Sequence, residues 1–171
     1  DKNNKFIDLY LLNDSLKPIF KSNLVVIMAG GKGTRLRPLT ETIPKPMLKI
    51  GEKPILQIII DRFKENNFNK FVICVNYKSK LIKDYFGNGS KFNVDIKYIN
   101  EKKEMGTAGA LSLLTKKPKE PFIVINADVL TNLNFDSLLN FHNYYNSAAT
   151  MCIREYFVTS PYGEVEIDNE K

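Results

Sequence analysis

The chain has 171 residues, 43% hydrophobic and 26% charged, enough for one globular domain with a buried core and a short appendage. Its apolar runs, such as 23–28 and Ile55–Ile60, are far too short to cross a bilayer, and the opening Asp1-Lys2-Asn3-Asn4-Lys5 lacks the apolar segment of a signal peptide. The net charge of +6 is scattered over many lysines rather than gathered in a stripe, which speaks against nucleic acid and suits phosphate-rich small ligands.

Phe6–Leu12 reads as a strand that Asn13-Asp14-Ser15 and Lys17-Pro18 interrupt. Residues 1–22 are therefore expected to be the tail of an upstream module plus a linker, in a chain that begins in mid-protein, and 23–171 the main domain. Leu24–Ala29 is a short apolar run ending in glycines, as a buried central strand would. A loop rich in Gly, Pro and Thr follows to Lys53, and Pro54 suits the first turn of a helix. In that helix Ile55, Ile58, Ile59 and Phe63 recur at helical spacing.

Lys70–Val75 is the next strand, and Ser79–Phe86 a helix stopped by Gly87. Further on come a strand at Val94–Ile99, a small-residue helix at Thr107–Leu114 and a strand at Pro121–Ala127. An amphipathic helix at Phe135–Tyr145 and a strand near Ala149–Arg154 complete the series. Such alternation predicts an α/β fold around a largely parallel sheet. Cys74 and Cys152 sit in separate apolar stretches with no metal or disulfide spacing, and read as buried free thiols of a cytoplasmic protein.

The chemistry concentrates in three segments. In Ala29-Gly30-Gly31-Lys32-Gly33-Thr34-Arg35-Leu36-Arg37, three glycines just past a strand let the backbone turn its N–H groups towards an anion, while Lys32, Arg35 and Arg37 add positive charge. A P-loop is excluded by the order Lys32-Gly33-Thr34, and a dinucleotide fingerprint by Leu36, where it requires glycine. That second exclusion also removes a nicotinamide-dependent dehydrogenase. In Pro44-Lys45-Pro46-Met47-Leu48 two prolines are expected to hold Lys45 in extended chain, where its ammonium can reach a phosphate. Asp128 stands at the C-terminal end of the strand ending Ile125-Asn126-Ala127, where open α/β sheets place their ligands.

Together Ala29–Leu36, Pro44–Leu48 and Lys53-Pro54-Ile55-Leu56 resemble the signature of sugar-1-phosphate nucleotidylyltransferases, over residues 23–171. The resemblance implies a Rossmann-like three-layer fold and an enzyme that joins a nucleoside triphosphate to a sugar 1-phosphate, with Mg²⁺ as cofactor and pyrophosphate as product. It implies Ala29, Gly30, Gly31, Gly33 and Thr34 as contacts to the nucleotide phosphates, and Arg35 beside the departing pyrophosphate. Lys45 would lie near the α-phosphate, and Asp128 would bind the metal.

The segment Glu101-Lys102-Lys103-Glu104-Met105-Gly106-Thr107-Ala108-Gly109 resembles the family's base-recognition segment. It implies Glu101, Gly106, Thr107 and Ala108 on the nucleotide and Gly109 on the sugar, in a form closest to guanylyl- and uridylyl-transferring branches. Tyr162 and Gly163 resemble the family's Tyr-Gly sugar contact. The family continues past this point with a second metal-binding aspartate, so the domain is expected to be C-terminally incomplete.

Phe6–Asp14 resembles the closing strand of a cystathionine-β-synthase-type (CBS) regulatory module. Such modules sometimes precede nucleotidyltransferase domains that make GDP-activated amino sugars, so the resemblance implies GTP and a glucosamine-like 1-phosphate. A nucleotide-sensing module that binds without turnover is the alternative reading, and a homo-oligomer is left open. His142, among aromatic residues and without ligand partners at metal spacing, is read as a packing or surface residue.

Overall fold

The structure, a computed structural model, describes residues 19–157, 159, 162 and 163. The expected strand at Phe6–Leu12 and the CBS-like segment lie outside the described residues.

The element order begins with β1 (Val25–Ala29), followed by a small hairpin of β2 (Lys49–Ile50) and β3 (Lys53–Pro54). Then come α1 (Ile55–Glu65), β4 (Lys70–Val75), α2 (Ser79–Phe86), β5 (Asp95–Asn100), β6 (Ile123–Asn126) and α3 (Phe135–Tyr144). The four longer strands form one sheet in the order β5-β4-β1-β6, and every pair in it is parallel. β1 is aligned with both neighbours, Val25 opposite Phe71 on one side and Ile123 on the other. The chain builds outward from β1 through β4 to β5, then returns to place β6 on β1's other side. This reversal creates a crevice at the C-terminal ends of β1 and β6, the place where doubly wound sheets take ligands.

The two faces of the sheet are covered unequally. On one, Val25, Ile27, Phe71, Ile73, Val75 and Ile96 meet α1, α2 and α3 in a continuous core. α1 presents Leu56, Ile59, Ile60 and Phe63 to it, the i, i+3, i+4, i+7 stripe of an amphipathic helix. Phe63 stacks on Phe135 with ring centroids 4.1 Å apart and meets Phe68 and Phe71 edge-on, so one aromatic knot ties α1, α3 and β4 together. α1 ends at Asn66, whose N–H bonds to Phe63 O, and Asn67 takes a left-handed φ of 64° to turn the chain towards β4. α3 starts at Asn134, whose side chain accepts from the Ser137 N–H. On the other face a smaller cluster of Val26, Val72, Cys74 and Ala110 is capped by a short 3₁₀ stretch, Gly109–Leu113.

Several expectations change. Thr107–Leu114 is not an α-helix: a turn around Gly106, at φ 72°, precedes the 3₁₀ stretch, and Gly109 at the start of so short a segment disfavours sustained α-helical turns. Pro54 ends the small hairpin and stands immediately before α1 rather than inside its first turn. Lys45 is not in extended chain but opens a 3₁₀ turn, Lys45–Met47. Pro44 remains extended and Pro46, whose fixed φ suits that turn, follows. Residues 149–154 form no strand, since nothing among the described residues pairs with them. Cys152 in that segment is exposed, whereas Cys74 is buried as expected. No helix among the described residues is long and apolar enough to cross a membrane.

Phe63→Ala would remove the centre of the aromatic knot. It is expected to lower unfolding free energy by about 3–5 kcal/mol, measured by urea titration; a loss below about 1 kcal/mol would show that the knot is not central to stability.

Candidate active site

The crevice at the sheet's C-terminal edge is a cavity of about 680 Å³. Four stretches of chain wall it: residues 28–35 leaving β1, Lys45 and Pro46 of the 3₁₀ turn, Asn126–Asp128 leaving β6, and Glu101 with Glu104–Thr107 beyond β5. The sequence-expected residues Ala29, Gly30, Gly31, Gly33, Thr34, Arg35, Lys45, Glu101, Gly106, Thr107 and Asp128 all line this one space. Ala108, Gly109, Tyr162 and Gly163 are not among the lining residues, and the Tyr162 side chain is largely exposed. Lys32, expected to add positive charge, lines it and Arg37 does not, while Pro46, Glu104 and Met105 line it with no expected role. Glu104 and Met105 lie inside the recognised 101–109 segment, and Lys32 inside the glycine loop.

The glycine loop has the geometry of an anion cradle. Gly33 takes φ 63°, a left-handed conformation that favours glycine, and a Cβ there would lie 3.1 Å from Thr40 and 3.2 Å from Lys45. Among the described residues the backbone N–H groups of residues 31–35 donate to no protein acceptor. Unsatisfied N–H groups on a cavity wall are donors for an anion. Gly30 serves a different need: a Cβ there would fall 2.6 Å from Glu101 Oε1, so the glycine lets the Glu101 carboxylate lie against the end of β1.

Six charged side chains face the cavity, three of each sign. Lys32 pairs with Glu104 at 2.6 Å, joining the glycine loop to the 101–107 loop across the opening. Lys45 Nζ donates to Asp128 Oδ2 at 2.5 Å, both side chains being about one-third exposed. That leaves Arg35 and Glu101. Among the described residues neither forms an ion pair or a side-chain hydrogen bond, so the cavity holds one cation ready for an anion and one carboxylate ready for donors.

A divalent cation has a partial fit. Asp128 offers a hard oxygen ligand at the sheet edge, but no group of three or more acidic, His or Cys residues capable of holding a metal occurs among the described residues. One carboxylate is enough for a Mg²⁺ ion that takes the rest of its shell from water and phosphate oxygens.

Residues 24–171 match the profile of the family described as nucleotidyl transferase. The chain belongs to this family. As a nucleotidyl transferase it is 34% identical over 149 residues to the mannose-1-phosphate guanylyltransferase catalytic subunit beta of Danio rerio, covering 85% of this chain and 41% of that protein. It is 41% identical over 118 residues to the bifunctional protein GlmU of Methanococcus maripaludis, covering 69% of this chain and 28% of that protein. The solved structure of HddC from Yersinia pseudotuberculosis complexed with GMP-PN superposes with a TM-score of 0.63 at 31% identity, over 70% of this chain and 54% of that one. This nucleotidyl transferase chain thus spans less than half the length of these curated relatives.

Cys74 is buried in β4, and burial, followed by the nearby Glu101 charge, pushes its thiol up to about 11 from 9.0. A thiol whose folded value is raised contributes stability that is complete below pH 9 and lost as pH rises through about 11. At pH 8 a maleimide is expected to label one cysteine in the native protein, the exposed Cys152, and both in urea. Rapid native labelling of Cys74 would contradict the burial.

Proposed function

We propose that this protein transfers a nucleoside monophosphate from a nucleoside triphosphate, GTP by preference, to a sugar 1-phosphate. The observation that carries the reading is the convergence of unsatisfied loop N–H groups, the unpaired Arg35 and the Lys45–Asp128 pair on one cavity at the strand-order reversal.

In the proposed reaction a phosphate oxygen of the sugar 1-phosphate attacks the α-phosphorus, forming a new P–O–P linkage. The bond from the α-phosphorus to the bridging oxygen breaks, and its electron pair leaves with pyrophosphate. The loop N–H groups hold the phosphates, Arg35 offsets charge growing on the leaving group, and Lys45, released from Asp128, turns to the α-phosphate. Positioning and charge compensation of this kind make up most of such catalysis. Asp128 would hold Mg²⁺, which when bound supplies further charge neutralisation on the phosphates.

Glu101 supports the preference for guanine. An ionised carboxylate only accepts, and guanine's N1–H and N2–H₂ are two adjacent donors that match its two oxygens. Uracil offers one N–H flanked by carbonyls, while adenine and cytosine each place an acceptor beside their amine. The guanylyltransferase relatives and the GMP-PN complex of the HddC neighbour point the same way. A glucosamine-like acceptor rests on the resemblance of Phe6–Asp14 alone, which lies outside the described residues.

GTP with Mg²⁺ is expected to raise the melting temperature more than UTP, CTP, ATP or dTTP. Saturation at a hundred times Kd corresponds to about 2.7 kcal/mol of added stability. Inosine triphosphate, lacking the N2 amine, should bind more weakly than GTP in the wild type and equally in Glu101→Gln. No shift with any triphosphate would sink the nucleotide site, and a larger shift with UTP would reassign the base. In a radiolabelled transfer assay, Lys45→Ala and Asp128→Asn are each expected to lower turnover ~10²–10³-fold with folding intact. Near-wild-type rates in either would remove that residue's role, and binding without turnover in the wild type would favour the sensing alternative.

A further inference from the structure

Thr40 is the only polar or charged residue in the buried class among the described residues, with 1% exposure, yet it lies in the irregular segment between the glycine loop and the Lys45 turn. Its hydroxyl is not idle. Thr40 Oγ1 donates to Gly33 O at 2.8 Å, and the Leu36 N–H donates to the same oxygen at 2.9 Å, so both acceptor positions of that carbonyl are filled. In a trans peptide the carbonyl and the following N–H point in opposite directions. A Gly33 carbonyl drawn to buried Thr40 therefore turns the Thr34 N–H the other way, and Thr34 lines the cavity with that N–H uncommitted.

Thr40 is itself clamped from the next strand–helix connection. The Tyr77 hydroxyl sits 3.2 Å from Thr40 O and 3.3 Å from Glu41 O, and Lys78 Nζ donates to Thr42 O at 3.2 Å. Lys78 adopts φ 49°, a left-handed conformation uncommon for a side chain of its size, immediately before α2. The connection after β4 thus grips three successive carbonyls of the 40–42 segment, and that segment holds the glycine loop.

We infer that Thr40, held in place by Tyr77, is a positioning residue that fixes the Gly33–Thr34 peptide with its N–H towards the phosphates of the bound nucleotide. The inference rests on the nucleotide reading proposed above. Thr40 touches no reacting atom. Its hydroxyl acts through the Gly33 carbonyl, and its methyl group, 3.1 Å from where a Gly33 Cβ would stand, keeps that position a glycine. Without the hydroxyl the Gly33 carbonyl loses one of its two donors, and the peptide can rotate so that the Thr34 N–H no longer faces the cavity.

The test compares guanosine, GMP and GTP binding by calorimetry in wild type, Thr40→Val, Thr40→Ser and Tyr77→Phe. Thr40→Val keeps the buried shape but removes the donor. It is expected to weaken GTP about tenfold, the scale of one hydrogen bond, while guanosine affinity stays unchanged. Thr40→Ser should restore GTP binding, and Tyr77→Phe, at a site away from the core, should weaken GTP selectively and to a smaller degree. Wild-type GTP affinity in both Thr40→Val and Tyr77→Phe would overturn the inference, as would equal loss of guanosine and GTP. Should Thr40→Val fail to fold, Tyr77→Phe decides alone. Failure of wild type to bind GTP at all would instead remove the underlying nucleotide reading.

Discussion

Everything at the site depends on β1 being paired in parallel on both sides. A strand with Val25, Val26 and Ile27 wholly buried, and neighbours in register on either edge, cannot slide or tilt without exposing its core residues. The glycine loop therefore leaves the sheet from a fixed point in a fixed direction. The connections on its two sides diverge, one towards β4 and the helices, the other towards β6. The gap between them is a geometric consequence of strand order, and it needs no side chain to hold it open.

Chemistry is laid over that gap by charge balance. Of the six charged groups facing the cavity, four cancel in pairs that join separate stretches of chain, Lys32 to Glu104 and Lys45 to Asp128. Such half-exposed pairs add little to stability. Their significance is that both can be exchanged for ligand contacts without leaving a charge stranded in an apolar interior. The two groups left over, Arg35 and Glu101, differ in sign and sit on different walls, so an elongated ligand with an anionic end and a donor-bearing end satisfies both.

Much of this was legible from residues alone because it depends on local rules. The apolar run at Leu24–Ala29, the helical spacing through Phe63 and the Asp128 position each follow from periodicity or from strand ends. The site residues were legible because glycine, proline and charge occur there in a distinctive order. Thr40 and Tyr77 were not, since an isolated threonine in a loop gives no sign that its hydroxyl will meet the Gly33 carbonyl seven residues back. Residues 149–154 differ for the converse reason: a short apolar stretch is able to pair, but pairing also needs a partner edge, and none pairs with it among the described residues. At Thr107–Leu114, composition favoured a helix, while the positive-φ turn at Gly106 and the glycine at 109 left only a short 3₁₀ stretch.

The doubly flanked strand has a further meaning during synthesis. Asn23, just before β1, meets Pro121, just before β6, across 98 residues of sequence, and Lys45 meets Asp128 across 83. Among the described strands of the sheet β1 is thus made before the other three and gains its second partner only with β6, so that it bears an unsatisfied edge and an apolar face in the meantime. Long-range parallel pairing is slow to close and leaves such strands open to wrong partners. The interval before β6 emerges is the period in which the second edge of Val25–Ala29 stands unpaired, and with it the strand end from which the glycine loop leaves the sheet.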